Sequence, residues 1–164
     1  MLLLIICEHF YNKVLDGQCM KISSFCGCRC GCVGVAKSKD IVYFTNSTLP
    51  EPRYYIPFEK ALWDQIILDL KTGKTFFNII EEMTEKNPKK YAEISSFIRF
   101  IKIRDVKYKG VHSRKLTFLD DQYKRELYFS HDELELFILG VEDNQFEFDK
   151  LPEACAKEFK LQAA

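Results

Sequence analysis

Apolar positions in this chain switch between a period of two and one of about 3.6, and the switches mark out its elements. From Lys21, the runs "KISSF", the cysteine-rich stretch 26–32, "DIVYF" (40–44) and "RYYI" (53–56) read as short strands, with Pro50 and Pro52 marking the loop before the last. Pro57 then suits the first turn of a helix. Phe58, Leu62, Ile66 and Leu70 recur every four residues behind it, and Gly73 stops the helix. A second helix places Phe76, Ile79, Ile80 and Met83 on one stripe and ends at Pro88. Strand patterns return over 96–111, 115–119 and 126–129. Ser130 and Glu133 have the spacing of a capping box, followed by an apolar stripe of Leu134, Phe137, Ile138 and Val141.

These elements predict an α+β fold of two ββββα-like halves, 19–73 and 95–146, each an antiparallel sheet backed by a helix. Residues 74–94 read as a bridging helix and 150–164 as a C-terminal helical tail, all in one compact domain spanning 1–164. "RYYIPFEKALWDQIILDLKTG" and "RELYFSHDELELFILGVEDNQ" both run Arg, aromatic strand, cap, amphipathic helix, turn, which reads as a repeat of pattern.

Composition adds little, since 24 basic and 24 acidic residues leave a formal net charge of zero. The opening "MLLLIICEHF" lacks the basic start of a signal peptide and the length of a membrane span, so it reads as a buried strand or helix turn. On that reading the protein is intracellular, cytoplasmic or nuclear, has no membrane partner, and its thiols stay reduced. Asn46-Ser47-Thr48 matches a glycosylation sequon, taken as chance for the same reason.

Charge distribution says more. Arg99, Lys102, Arg104, Lys107, Lys109, Arg114 and Lys115 form a basic run in which Asp105 is the only acid, interleaved with Phe97, Phe100 and Tyr108. Cations beside stacking rings are what sequence-tolerant single-strand binding requires, although a solvated strand face fits the alternation as well. If 96–111 is one strand, Arg99, Ile101 and Ile103 share a face, and Phe100, Lys102 and Arg104 form the opposite, binding face. Between Glu126 and Asp149 there is no Lys or Arg. Glu133, Glu135, Glu142 and Asp143 in that segment suit a basic protein partner, or simply a soluble helix face. Trp63 lies off its helix's main apolar row and is either a partner anchor or a piece of core. A homodimer is a further expectation.

Cys26, Cys28, Cys30 and Cys32 fall on every second position. On a strand they share a face, spaced too widely for four thiolates to meet on one ion, so core packing is expected ahead of metal or redox use and of disulfides. Gly27, Gly31 and Gly34 strip the opposite face to Arg29 and Val33, which makes either a bend or a concave surface carrying Arg29. Nothing points to a resident metal or cofactor. His9, His112 and His131 stand apart, and no catalytic motif accompanies them, which weighs against an enzyme.

"SSFCGCRCGCVGVA" resembles the serine-rich opening and "NCVEVA" strand of a small actinobacterial family of unknown function encoded beside helix-turn-helix regulators. "LYFSHDELELFILGVEDNQF" (127–146) is similar to that family's closing "LTFTPAEWAAFLAGVRDGEF", with Leu127, Phe129, Glu133, Phe137, Gly140, Val141, Asp143 and Phe146 matching. This resemblance implies a regulator-associated protein. The repeated strands-plus-helix order is similar to PUR- and whirly-type binders of single-stranded nucleic acid, which implies binding on a curved antiparallel sheet with helices behind. The expected function is therefore a non-enzymatic single-stranded nucleic-acid-binding module, with a protein-interaction adaptor second and a thiol- or metal-dependent enzyme third.

Overall fold

Two hairpin-built antiparallel sheets follow one another along the chain in the computed structural model, which describes residues 20–26, 32–49, 54–121 and 124–154. The first has strand order β1 (Lys21–Ile22), β2 (Val33–Ser38), β3 (Ile41–Asn46) and β4 (Ile56–Glu59). The second is β5 (Ile101–Tyr108), β6 (Val111–Leu119) and β7 (Lys124–Ser130). Each sheet runs directly into a 12-residue helix, α1 (Lys60–Lys71) and α4 (His131–Glu142). Between them lie α2 (Phe76–Glu81), a π-helical turn (Glu82–Lys86) and α3 (Pro88–Ala92). The expected α+β fold of antiparallel sheets and helices is what the chain adopts, although the second half has three strands where four were expected.

One apolar cluster joins both halves. Val42 and Phe44 of the first sheet, Leu116 and Phe129 of the second, Ile66 of α1 and Phe137 of α4 are all buried in it. Phe44 lies near its centre, stacked on Phe76 at 5.3 Å and edge-on to Phe129 and Phe137 at 5.3 and 5.7 Å. Full burial of each such side chain contributes roughly 1.5–3 kcal/mol. Polar contacts also cross between the halves. The Glu59 carboxylate accepts bonds from Ser95 Oγ (3.0 Å), Ser96 N (2.8 Å) and Phe97 N (3.1 Å).

Several local expectations need correction. The strand expected at the cysteines begins one residue past them, at Val33, while Cys26 ends a 3₁₀ turn (Ser24–Cys26). Cys26 and Cys32 are both buried and joined by a disulfide with Cα atoms 6.5 Å apart, so pairing prevails at these two positions. Cys28, Cys30 and Arg29 lie outside the described residues. Pro57 and Phe58 belong to β4, not to α1, which starts at Lys60. As β4 ends the sheet order, the missing N–H of Pro57 is tolerated there. Pro88 opens α3 where it was expected to terminate a helix. Of the expected C-terminal helix, residues 151–154 instead run alongside β2, with Lys37 N donating to Pro152 O and Ala154 N to Lys37 O. Residues 155–164 lie outside the description.

Candidate nucleic-acid interface

β5 and β6 are joined by Lys109-Gly110, both at positive φ (51° and 78°). That is the two-residue turn whose twist matches the right-handed twist of its strands, and Gly110 adopts it without a steric cost. Alternation along the three strands turns Ile101, Ile103, Leu116, Phe118, Leu127 and Phe129 into the core. Lys102, Tyr108, Lys115 and Tyr128 then fall on the opposite, outer face, where each is exposed or half-buried. No layer covers that face among the described residues.

The Tyr108 and Tyr128 rings stack on this face with centroids 4.0 Å apart and an interplanar angle of 11°. Tyr108 stands opposite Val111, whereas Tyr128 stands opposite Lys115. In a flat sheet their Cα atoms would be roughly 17 Å apart, two strands across and four residues along. Stacked tyrosines cannot span that distance, so the sheet coils along this diagonal and its outer face is concave there. Ser113, on the same face between them, is buried to 5% exposure, and its Oγ donates to Val111 O at 3.1 Å. Tyr108 remains 39% exposed, with the Lys109 ammonium 5.3 Å from its ring centre. Tyr128 is held by its hydroxyl, which donates to Glu126 at 3.1 Å, and Glu126 in turn pairs with Lys124 at 3.1 Å. The bond from Lys124, then that from Tyr128, holds the Glu126 carboxyl below its usual range. Desolvation first, then Glu126, pushes the Tyr128 hydroxyl above its usual range.

The expected cations divide between two sides of the sheet. Lys102 and Lys115 lie on the outer face, with no carboxylate in ion-pair range among the described residues. Arg104 starts on that face but pairs with Glu85 and donates to Ile103 O, so it is partly committed to the fold. Arg114 and Lys107 project from the helix-facing side. Arg114 pairs with Asp105 directly across the ladder, and its guanidinium lies 4.5 Å from the Phe77 ring centre. Arg99 and Phe100 sit in a 3₁₀ turn (Ile98–Phe100) ahead of β5, where strand alternation does not apply. Arg99 stacks on Phe100 at 4.6 Å, and Phe100 packs on Phe118 of the core face at 5.6 Å. The ring expected beside Lys102 and Arg104 is therefore not Phe100. The stacked rings on this face are instead Tyr108 and Tyr128, the second of which was legible as the outward residue between inward Leu127 and Phe129.

Trp63 is no surface anchor. It is fully buried, and its Nε1 donates to Phe146 O at 3.0 Å. Glu133 is half-buried and completes the capping box with Ser130, as its spacing suggested. Glu135, Glu142 and Asp143 are exposed on or just past α4. No group of three or more His, Cys, Asp or Glu side chains among the described residues is placed to hold a metal ion. No helix among them is long and apolar enough to cross a membrane. Comparison of the chain with protein-family models, curated proteins and solved structures finds no match.

Proposed function

We propose that the concave outer face of the second sheet binds single-stranded nucleic acid, without catalysis, in a regulatory or packaging role. The observation that carries this reading is the Tyr108–Tyr128 stack, a partly exposed aromatic pair on a sheet face that is uncovered among the described residues, with Lys109 at the Tyr108 ring and Lys102 and Lys115 on the same face. Stacked side chains offer a π-surface that every base can extend, and ammonium groups around it follow the phosphates without reading sequence. Phosphate contacts of this kind steer and hold the strand while leaving base preference weak. A labelled single-stranded oligonucleotide tests the proposal, its affinity measured across salt concentrations beside that of the same sequence as a duplex. The expected result is a salt-dependent preference for the single strand. Equal or stronger duplex binding would contradict the reading.

A second reading rests on a separate observation. Leu139 is 42% exposed on α4 with Glu135 and Glu142 nearby on the same helix, a mixed acidic and apolar face suited to a basic protein segment. Both readings place the protein inside a cell, cytoplasmic or nuclear, and that placement makes a demand on Cys26 and Cys32. The structure joins the pair in a disulfide, which runs against a reducing compartment, so an intracellular protein should yield these two cysteines as free thiols on lysis. Alkylation of freshly lysed cells followed by mass measurement checks this, and a persistent Cys26–Cys32 bond would contradict the placement.

A further inference from the structure

Where the second sheet meets α4 there is a depression of about 200 Å³ lined by His112, Ser113, Arg114 and His131. Register explains how they meet. His112 and Arg114 alternate onto the helix-facing side of β6, and Ser113 pairs with Ser130. His131, the next residue after Ser130, therefore enters the row of His112, and Lys107 pairs with His112 across β5. The result is a short row of nitrogen-bearing side chains at one end of the sheet, beside the N-terminus of a 12-residue helix.

We propose that this depression is an oxyanion site that takes a phosphate group, and that it receives the terminal phosphate of the strand held on the outer face. The second half of the proposal rests on the nucleic-acid reading above. An imidazole in any protonation state carries at least one N–H donor, and a guanidinium carries five. The nearby carboxylates do not exhaust these donors. Asp105 engages one terminal nitrogen of Arg114, and Glu135 stands 3.6 Å from His131 Nε2 only. Asp132, also in the first turn of α4, opposes an anion, while Lys107 and the helix dipole favour one. A planar guanidinium lining the same depression as two imidazoles suits the several acceptor oxygens of a phosphomonoester better than a single-point anion such as chloride. The site also gives a place to Arg114, which belongs to the basic run but projects away from the outer face, with Lys107 paired to His112 next to it.

Two arms test the site. In the first, inorganic phosphate is titrated into the whole protein while the imidazole proton signals are followed, assigned with His112→Gln and His131→Gln. The His112 and His131 signals should move together to saturation. In the second arm, a 5′-phosphorylated oligonucleotide should bind about tenfold tighter than its 5′-hydroxyl counterpart, the worth of one or two charge-assisted hydrogen bonds. The double glutamine variant, with unchanged far-UV circular dichroism, should lose that advantage and still bind the 5′-hydroxyl strand. Signals that do not saturate, or that chloride moves equally at the same ionic strength, would overturn the site even if the strand binds. Saturation by inorganic phosphate with no strand binding would keep the site, assign it to free phosphate, and overturn the nucleic-acid reading instead.

Discussion

Glu133 does two things at once. Its carboxylate accepts from Ser130 N to close the capping box and from Asn46 Nδ2 at 3.2 Å to tie α4 to β3. Burial nonetheless pushes its carboxyl above the usual range, against the opposing pull of the bonds from Ser130 and Asn46. A raised folded-state pKa means that the native protein holds more protons than the unfolded chain across that window. The stability contributed by this residue is thus full at low pH and falls as pH rises through the shifted pKa. Glu133→Gln keeps an acceptor and removes the titration, so its melting temperature should vary less with pH over this window than that of the wild type. Parallel pH dependences would contradict the assignment. Gly140 is constrained by space instead. A Cβ there would lie 2.7 Å from a Phe146 ring carbon and 2.8 Å from Ser23 Oγ, because the 3₁₀ turn after Ser23 lies against α4. Gly140→Ala should lower unfolding stability by about 1–3 kcal/mol, an overpacking cost read from urea denaturation. An unchanged midpoint would show that the turn does not press on the helix.

At the scale of elements, the apolar stripes of α1 and α4 were legible because several consecutive repeats agree on one period. β4 was not. Phe58 continues the four-residue spacing of Leu62 and Ile66 by coincidence, while Ile56 and Phe58 equally satisfy a period of two. Only pairing with β3, Phe44 opposite Ile56 and Val42 opposite Phe58, decides between them. The turn at 98–100 was hidden for a related reason. It is held by Ser95 Oγ, which accepts from Ile98 N, and by Glu59, which accepts from Phe97 N. Glu59 is 38 residues away from Phe97, so no local window contains the cause. This one turn removed Phe100 from the expected platform while leaving Lys102 on it, and β6 adds Lys115 to the same face. If those two lysines contact phosphates, Lys102→Ala with Lys115→Ala should flatten the logarithmic salt dependence of single-strand affinity by about 1.4. Arg114→Ala should leave that slope closer to the wild-type value for a 5′-hydroxyl strand, since Arg114 lies on the other side of the sheet. A slope unchanged by the double lysine replacement would mean that phosphates track elsewhere.

For the whole molecule, the two sheet-to-helix junctions share local features. α1 and α4 are equally long, each follows its strand without a loop, and each is followed at the same offset by a left-handed residue, Gly73 (φ 91°) and Asn144 (φ 58°). The halves differ in what covers their sheets. The face of the first sheet away from the main core carries its own stacked pair, Tyr43 and Tyr55 at 4.1 Å, but it is closed over, with Met20 in the same buried cluster and Ala154 packed against it. The corresponding face of the second sheet is uncovered among the described residues, and the proposed binding role falls on the tyrosine pair there. The measurement that bears most directly on this is fluorescence anisotropy of a labelled single-stranded oligonucleotide at low salt, with wild-type protein and with Tyr108→Ala. Wild-type protein should bind, and removing the ring should cost roughly 1–3 kcal/mol with the salt slope unchanged. A folded wild-type protein that leaves the anisotropy flat, or a Tyr108→Ala protein that binds as tightly as the wild type, would contradict that role.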